Sequence, residues 1–231
     1  MRLMSVDQKP LVYGIGLNDS ISAVVRTEIT DGKRKQVWMC PYYRCWKGML
    51  FRCYGGEKRS KSLIEAYRGV VVCSQWLRFS NFKVWMEKQD WDGNQLDKDM
   101  KSPGCKEYSP SSCVFLPSRV NSCVLLSDRS RGNLPAGVRY TEKLKNMVRE
   151  RTKPYSAQIS GRLFGRGYKH LGYFKTPFEA HLRWQCEKLK HLEWLFCDED
   201  ARNKDWGQLL ARVIENLKSD ILKQKETVRL L

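Results

Sequence analysis

Arg139, Gln158, Ser160, Arg162, Tyr168 and His170 are polar members of a stretch in which apolar and polar residues alternate. An alternation of two puts such residues on one face of a β-sheet. A flat face of guanidinium, amide, hydroxyl and imidazole groups can hydrogen-bond base edges in the major groove of a duplex. The bland alternative is a solvated sheet face with no partner. A second stretch, DWDGNQLDKDMKSPGCKEYSPSSCVFLPSRVNSCVLL, crowds carboxylates, hydroxyls and amides into residues 90–126. It reads as strand, loop, strand and helix, a unit of metal-site size. Nine cysteines offer a third chemistry, and Cys40, Cys45, Cys53 and Cys73 are the four that zinc would gather. Their spacings are not the close pairs of a zinc knuckle.

Elements must hold these groups in place. YYRCWKGMLFRCY spaces Tyr42, Trp46, Met49, Leu50 and Cys53 as one apolar helical face. Val70–Cys73 predicts a short strand, followed by a helix with Trp76, Phe79, Phe82 and Met86 inward. Asp92-Gly93-Asn94 marks a turn into a strand over Gln95–Met100. Ser102, Pro103 and Gly104 make a loop, Cys113–Leu116 a second strand, and Ser118 the N-cap of a helix with Val120, Asn121, Val124 and Leu125. Past the junction SDRSRGNLPAG, three strands are predicted at Val138–Tyr140, Tyr155–Ser160 and Lys169–Phe174. Thr176 caps the helix that follows, with Pro177 in its first turn. Ala157, Ile159, Leu171 and Phe174 are the strand residues expected to face that helix. From Trp206 a last helix carries Leu210, Ile214, Leu217, Ile221, Val228 and Leu231 near heptad spacing, with Gln224 interrupting the seam.

The charge narrows the partner. The chain of 231 residues has 42 Lys and Arg against 25 Asp and Glu, a net charge of +17. Such a surplus favours polyanions, nucleic acid or an anionic membrane surface. Residues 128–195 hold 15 basic against 6 acidic residues, while residues 196–231 hold 7 of each. A membrane surface would need a basic amphipathic helix, and the amphipathic helix here is the neutral tail. No stretch is apolar enough to span a bilayer, and Met1–Pro10 does not read as a signal peptide. Reduced thiols in a cytoplasm are therefore expected.

GVRY, KPYSAQIS and YKHLGYFKTPFEAHLRW together resemble the Apetala/ethylene-response-factor DNA-binding domain. The resemblance implies a three-stranded antiparallel sheet, packed on one helix, that reads the major groove. Carried over by position, Arg139, Gln158, Ser160, Tyr168 and His170 fall at DNA contacts, and Arg162 joins them on the same face. Ser160 replaces the usual Arg, and the insert Thr141–Lys153 lengthens the first hairpin. Lys143, Lys145, Arg149, Arg151 and Lys153 are then expected on phosphates, which supply affinity rather than sequence reading.

The W…RC…VC…W…F…F pattern, followed by LDKD…YSPxxC.F…N, resembles the HNH-like endonucleases of phages and mobile elements. That resemblance implies a ββα-metal hairpin with Asp97 and Asn121 as ligands to Mg²⁺ or another divalent cation such as Mn²⁺. Lys98 falls at the general-base position. An ordinary lysine, with a pKa of about 10.4, is a poor base at neutral pH, and Asp99 is the alternative. Ser112 stands where the family has an Asn.

The expected fold is α+β. Residues 1–127 form an HNH-like ββα-metal domain with flanking helices and an N-terminal extension. Residues 128–195 form the three-stranded sheet on one helix, and residues 196–231 an amphipathic helix. The favoured function is a phage-encoded homing-type endonuclease, a hydrolase that nicks or cleaves duplex DNA in the host cytoplasm. The alternative is a DNA-binding regulator with the same modules and no chemistry. The C-terminal helix is expected to pack on its own chain, with homodimerisation as the other possibility.

Overall fold

The computed structural model describes residues 10–126, 132–141, 152–160, 167–197 and 204–231. Contacts divide the chain into two compact units, Met1–Phe115 and Leu116–Leu231. The described residues contain six α-helices and nine strands in an α+β arrangement. Among them, no helix is long and apolar enough to cross a membrane.

The first unit opens with a hairpin of β1 (Val25–Thr30) and β2 (Lys33–Met39), antiparallel throughout. Asp31 and Gly32 form its two-residue turn, with φ of 52° and 70°. Positive φ at both central residues is what a type I′ turn demands, and Asp-Gly supplies it. Helix α1 (Pro41–Tyr54) follows, with Pro41 in its first turn, where a missing N–H costs nothing. Its buried face is Tyr43, Trp46, Met49, Leu50 and Cys53. Tyr43 rather than Tyr42 completes the stripe, and Tyr42 lies half-buried against Trp91. Helix α2 (Lys61–Ala66) is capped by Ser60, whose hydroxyl accepts from Leu63 N.

Strand β3 (Val71–Val72) pairs in parallel with β5 (Glu107–Tyr108), and α3 (Phe79–Met86) brings Phe79, Phe82 and Met86 to the core. Trp76 precedes α3 in a single 3₁₀ turn. Its carbonyl accepts from the buried Trp46 indole at 2.6 Å, so this polar atom enters the core satisfied. Strand β4 (Asn94–Asp97) pairs with β6 (Val114–Pro117), and α4 (Ser118–Val124) continues from β6. The expected strand over Gln95–Met100 stops at Asp97, because the Asp97 carboxylate turns the chain onto itself. Ser118 is the first helical residue and not the cap, which is Pro117. Leu125 is exposed, while Val120, Cys123 and Val124 are buried.

The second unit is built on the antiparallel sheet β7 (Val138–Tyr140), β8 (Tyr155–Ser160) and β9 (Tyr168–Phe174), in that order. Helix α5 (Pro177–Phe196) packs on it. Thr176 Oγ1 accepts from Glu179 N while the Glu179 carboxylate accepts from Thr176 N, a reciprocal cap worth about 1 kcal/mol. Helix α6 (Asp205–Leu222) lies on α5, and Leu209, Leu210, Val213, Ile214 and Leu217 bury the seam within the same chain. The helix stops before Val228 and Leu231, whose place on the seam is therefore corrected. Gln224 adopts φ of 51°, and the chain doubles back. Thr227 and Leu230 are buried, whereas Val228 is exposed.

Candidate nucleic-acid interface

The sheet of the second unit has one face on α5 and an opposite face that, among the described residues, is largely exposed. Val138, Ala157 and Ile159 are buried on the helix side, and Leu171 and Phe174 pack beside them. Leu171 and Phe174 are three residues apart, so strict alternation would send them to opposite faces. A bulge resolves this. Ala157 pairs with Gly172 and Gln158 with His170, which leaves Leu171 as an extra residue. Gly172 sits at φ of 128°, a conformation that a side chain would strain.

Cross-strand pairing then assembles the open face. Arg139 lies opposite Ser156, Gln158 opposite His170, Ser160 opposite Tyr168, and Ser156 opposite Tyr173. The Arg139 guanidinium sits 5.7 Å from the Tyr168 ring centre. The Gln158 amide, with its oxygen toward Arg139, accepts from Nε and Nη2 of that guanidinium. The His170 ring packs on Tyr173 at 4.5 Å. Arg139, Gln158, Ser160, Tyr168 and His170 are thus brought onto one face, and Lys153 is exposed nearby in sequence. Lys143, Lys145, Arg149, Arg151 and Arg162 lie outside the described residues. Tyr173 is a member that the alternation missed, because the bulge shifts β9 by one residue.

The support beneath the face is closely packed. Trp184 of α5 lies against Gly137, where a Cβ would come within 2.0–2.7 Å of three ring atoms. His181 stacks on Trp184 at 5.3 Å, and its Nδ1 bonds the Ala136 carbonyl at 2.8 Å. Its Nε2 accepts from Thr227 N at 3.0 Å, which fixes the proton on Nδ1. A cleft of about 420 Å³ opens beside Arg139, Gln158 and Tyr168, with Trp184 and Lys188 among its walls. Burial lowers the pKa of the Lys188 ammonium, and its contact with Cys123 opposes that shift. On the rim of α5, Glu187 accepts from Lys169 at 2.6 Å and faces Arg183 and Lys190. The Lys169 hydrogen bond, helped by those cations, holds the Glu187 carboxyl below its ordinary range.

The hairpin around Asp97 is described within its own unit. Asp97 is buried, and its Oδ1 accepts from Asp99 N at 2.9 Å and Met100 N at 2.7 Å. Burial pushes its carboxyl above the ordinary range, against the pull of those amides. Lys98 is also buried and donates to Asp99 Oδ1 and to the Cys105 carbonyl at 3.0 Å. Lys98 and Asp99 are therefore partners of each other. Ser112 closes the loop that follows. Its hydroxyl donates to the Glu107 carbonyl at 2.7 Å and accepts from Ser109 N at 3.0 Å. Asn121 is half-buried on α4, in the second unit.

The Asp97 carboxylate offers the oxygen donors that a hard cation takes. Among the described residues, however, no three His, Cys, Asp or Glu side chains gather as a metal site. Cys40, Cys45, Cys53 and Cys73 form no such group, and burial pushes the Cys45 and Cys53 thiols up to about 11. All nine cysteines are free thiols. Searched against family models, curated proteins and solved structures, the chain matches none of them.

Proposed function

We propose that the protein binds duplex DNA and lays the open face of the β7–β9 sheet in the major groove. The observation that carries this reading is the Arg139–Gln158–Tyr168 cluster. An Arg whose planar fork is held by an amide and an aromatic ring loses little freedom when it meets a base edge, and paired acceptors on guanine match that fork. Ser160 and His170 extend the hydrogen-bonding surface on the same face. The basic excess of residues 128–195 adds sequence-independent attraction to phosphates.

The test uses the full chain and a selected pool of duplexes. Arg139→Ala should weaken the preferred site by about 1–3 kcal/mol and relax preference at one position. Equal losses on every sequence would move Arg139 to a phosphate. Absence of duplex binding by the wild type, with no dependence on salt, would overturn the reading.

A second reading, metal-dependent phosphodiester hydrolysis, is favoured by the element order around residues 94–124 and by the buried Asp97 carboxylate. The sequence pattern offers Asp97 and Asn121 as ligands to Mg²⁺ or Mn²⁺, an ion that would neutralise charge developing on the scissile phosphate. Neither unit by itself contains both side chains. Lys98, as a donor to Asp99, serves better as a charge near phosphate than as the base. Incubation with long duplex DNA and either metal tests this reading. Cleavage lost in both Asp97→Ala and Asn121→Ala, with DNA affinity intact, would establish it. A wild type that leaves the DNA uncut would leave the protein as a DNA-binding regulator.

A further inference from the structure

Every residue from Arg26 to Trp38 is exposed, and all but the turn Asp31-Gly32 belong to the paired strands β1 and β2. A two-stranded ribbon on its own is marginal in water. This one is held at its base, where Val25 and Met39 pair and pack on the aromatic core of the first unit. Beyond that base none of its side chains is buried. Ile29 is 74% exposed and Trp38 is 40% exposed. The ribbon carries Arg26, Lys33, Arg34 and Lys35 against Glu28 and Asp31. Cross-strand pairing sorts these groups. Arg26, Lys33, Lys35 and Trp38 share one face with Glu28, while Ile29 and Arg34 oppose each other on the other face. The Arg26 guanidinium lies 5.1 Å from the Trp38 ring centre.

We propose that this ribbon is a second DNA-binding arm, separate from the β7–β9 sheet, whose Lys33, Arg34 and Lys35 neutralise phosphates. The proposal rests on the reading of the protein as a duplex binder and adds a contact that the sheet does not include. The occupant is argued from charge and shape. Three consecutive cations at the tip fit a polyanion. A two-stranded ribbon is also one of the shapes that a major groove about 12 Å wide admits. A six-residue strand is about 20 Å long at roughly 3.3 Å per residue, enough to carry the tip across that groove. The rival occupant is a second copy of the chain, since among the described residues neither ribbon edge pairs with a further strand. Lysines on such edges discourage that pairing.

The experiment compares the full-length wild type with K33A/R34A/K35A and with the charge-preserving K33R/K35R. Affinity for one duplex is measured across a salt series, together with a hydroxyl-radical footprint. These side chains are exposed, so both variants should keep the wild-type circular dichroism spectrum. Loss of three phosphate contacts should flatten the slope of log K against log salt by about 2.7, at roughly 0.9 per contact. The footprint should shorten, and K33R/K35R should retain both the slope and the footprint. A wild type that binds no duplex would sink this proposal together with the DNA reading. A wild type that binds, with slope and footprint unchanged in the triple alanine variant, would overturn the arm alone. So would a wild-type dimer that the triple variant dissociates while its DNA binding stays the same, because the ribbon would then belong to a second copy.

Discussion

Replacing Gly137 by alanine probes how β7, the strand that carries Arg139, is seated. Gly137 has φ of 77° and lies against Trp184 immediately before β7, which carries Arg139. Two costs add. An L side chain in the left-handed region costs about 1–2 kcal/mol. Forcing a methyl group into ring atoms 2.0–2.7 Å away costs about 1–3 kcal/mol of overpacking. The ring has little room to retreat, because His181 stacks on its plane and is itself hydrogen-bonded at both nitrogens. The sum is about 2–5 kcal/mol, a large part of the stability of an ordinary domain. With two units in the chain, one melting temperature would mix their transitions. Hydrogen exchange read by mass spectrometry on peptides from β8 and α5 isolates the affected unit. Protection there should fall by that amount while peptides from α1 and α3 stay unchanged. A double-mutant cycle with Trp184→Ala should remove the overpacking and leave only the backbone strain. A Gly137→Ala protein within about 0.5 kcal/mol of wild type would refute the packing argument.

Two other outcomes concern charge. Glu187→Gln should lower stability at neutral pH by about 1–2 kcal/mol, since Lys169, Arg183 and Lys190 are partly exposed and screened. The Glu187 carboxyl is held low, so its contribution is full above the ordinary Glu value of about 4.3 and lost as pH falls through the depressed value. Urea titrations of the two proteins should converge in acid; a constant gap down to pH 3 would contradict the ion pairs. Asp97 has the opposite sign. Its raised pKa makes the carboxyl most favourable to folding in acid, with that advantage lost as pH rises through the folded value. Asp97→Asn keeps an oxygen for the two amides and removes a buried charge. Near pH 7 it should therefore be at least as stable as wild type, even if cleavage is lost. A destabilised Asp97→Asn in urea titration would show that the charge itself holds the turn.

The three strands of the second unit and the Thr176-capped helix were legible because each carries a strong local signal, glycine or proline at its ends and alternation within. The need for a bulge was also present, in the three-residue spacing of Leu171 and Phe174, although its effect on Tyr173 was not. The β1–β2 ribbon escaped for a physical reason. A strand pattern is visible when one face is buried, and here neither face is, so Asp31-Gly32 stood alone as a signal. The extent of β4 was hidden too. Sequence shows a carboxylate at Asp97 but not that it will be buried and turned onto the amides of Asp99 and Met100. The end of α6 was marked only by Gln224, which interrupts the seam, and the buried return of Thr227 had no periodicity to announce it.

That return makes the β7–β9 sheet hard to transplant. Thr227 receives the Gln185 amide on its hydroxyl, gives that hydroxyl's proton to Asp220, and offers its own N–H to His181. A graft cut at residue 195 would carry the sheet and α5 but strip His181 and Gln185 of these partners and lay bare the side of α5 that α6 covers. The portable piece is therefore longer than the sheet and α5 alone. Exchanging strands within the intact unit is the sounder engineering route, because the last nine residues act as the latch of a cassette whose exposed sheet face lies on the far side of its helix.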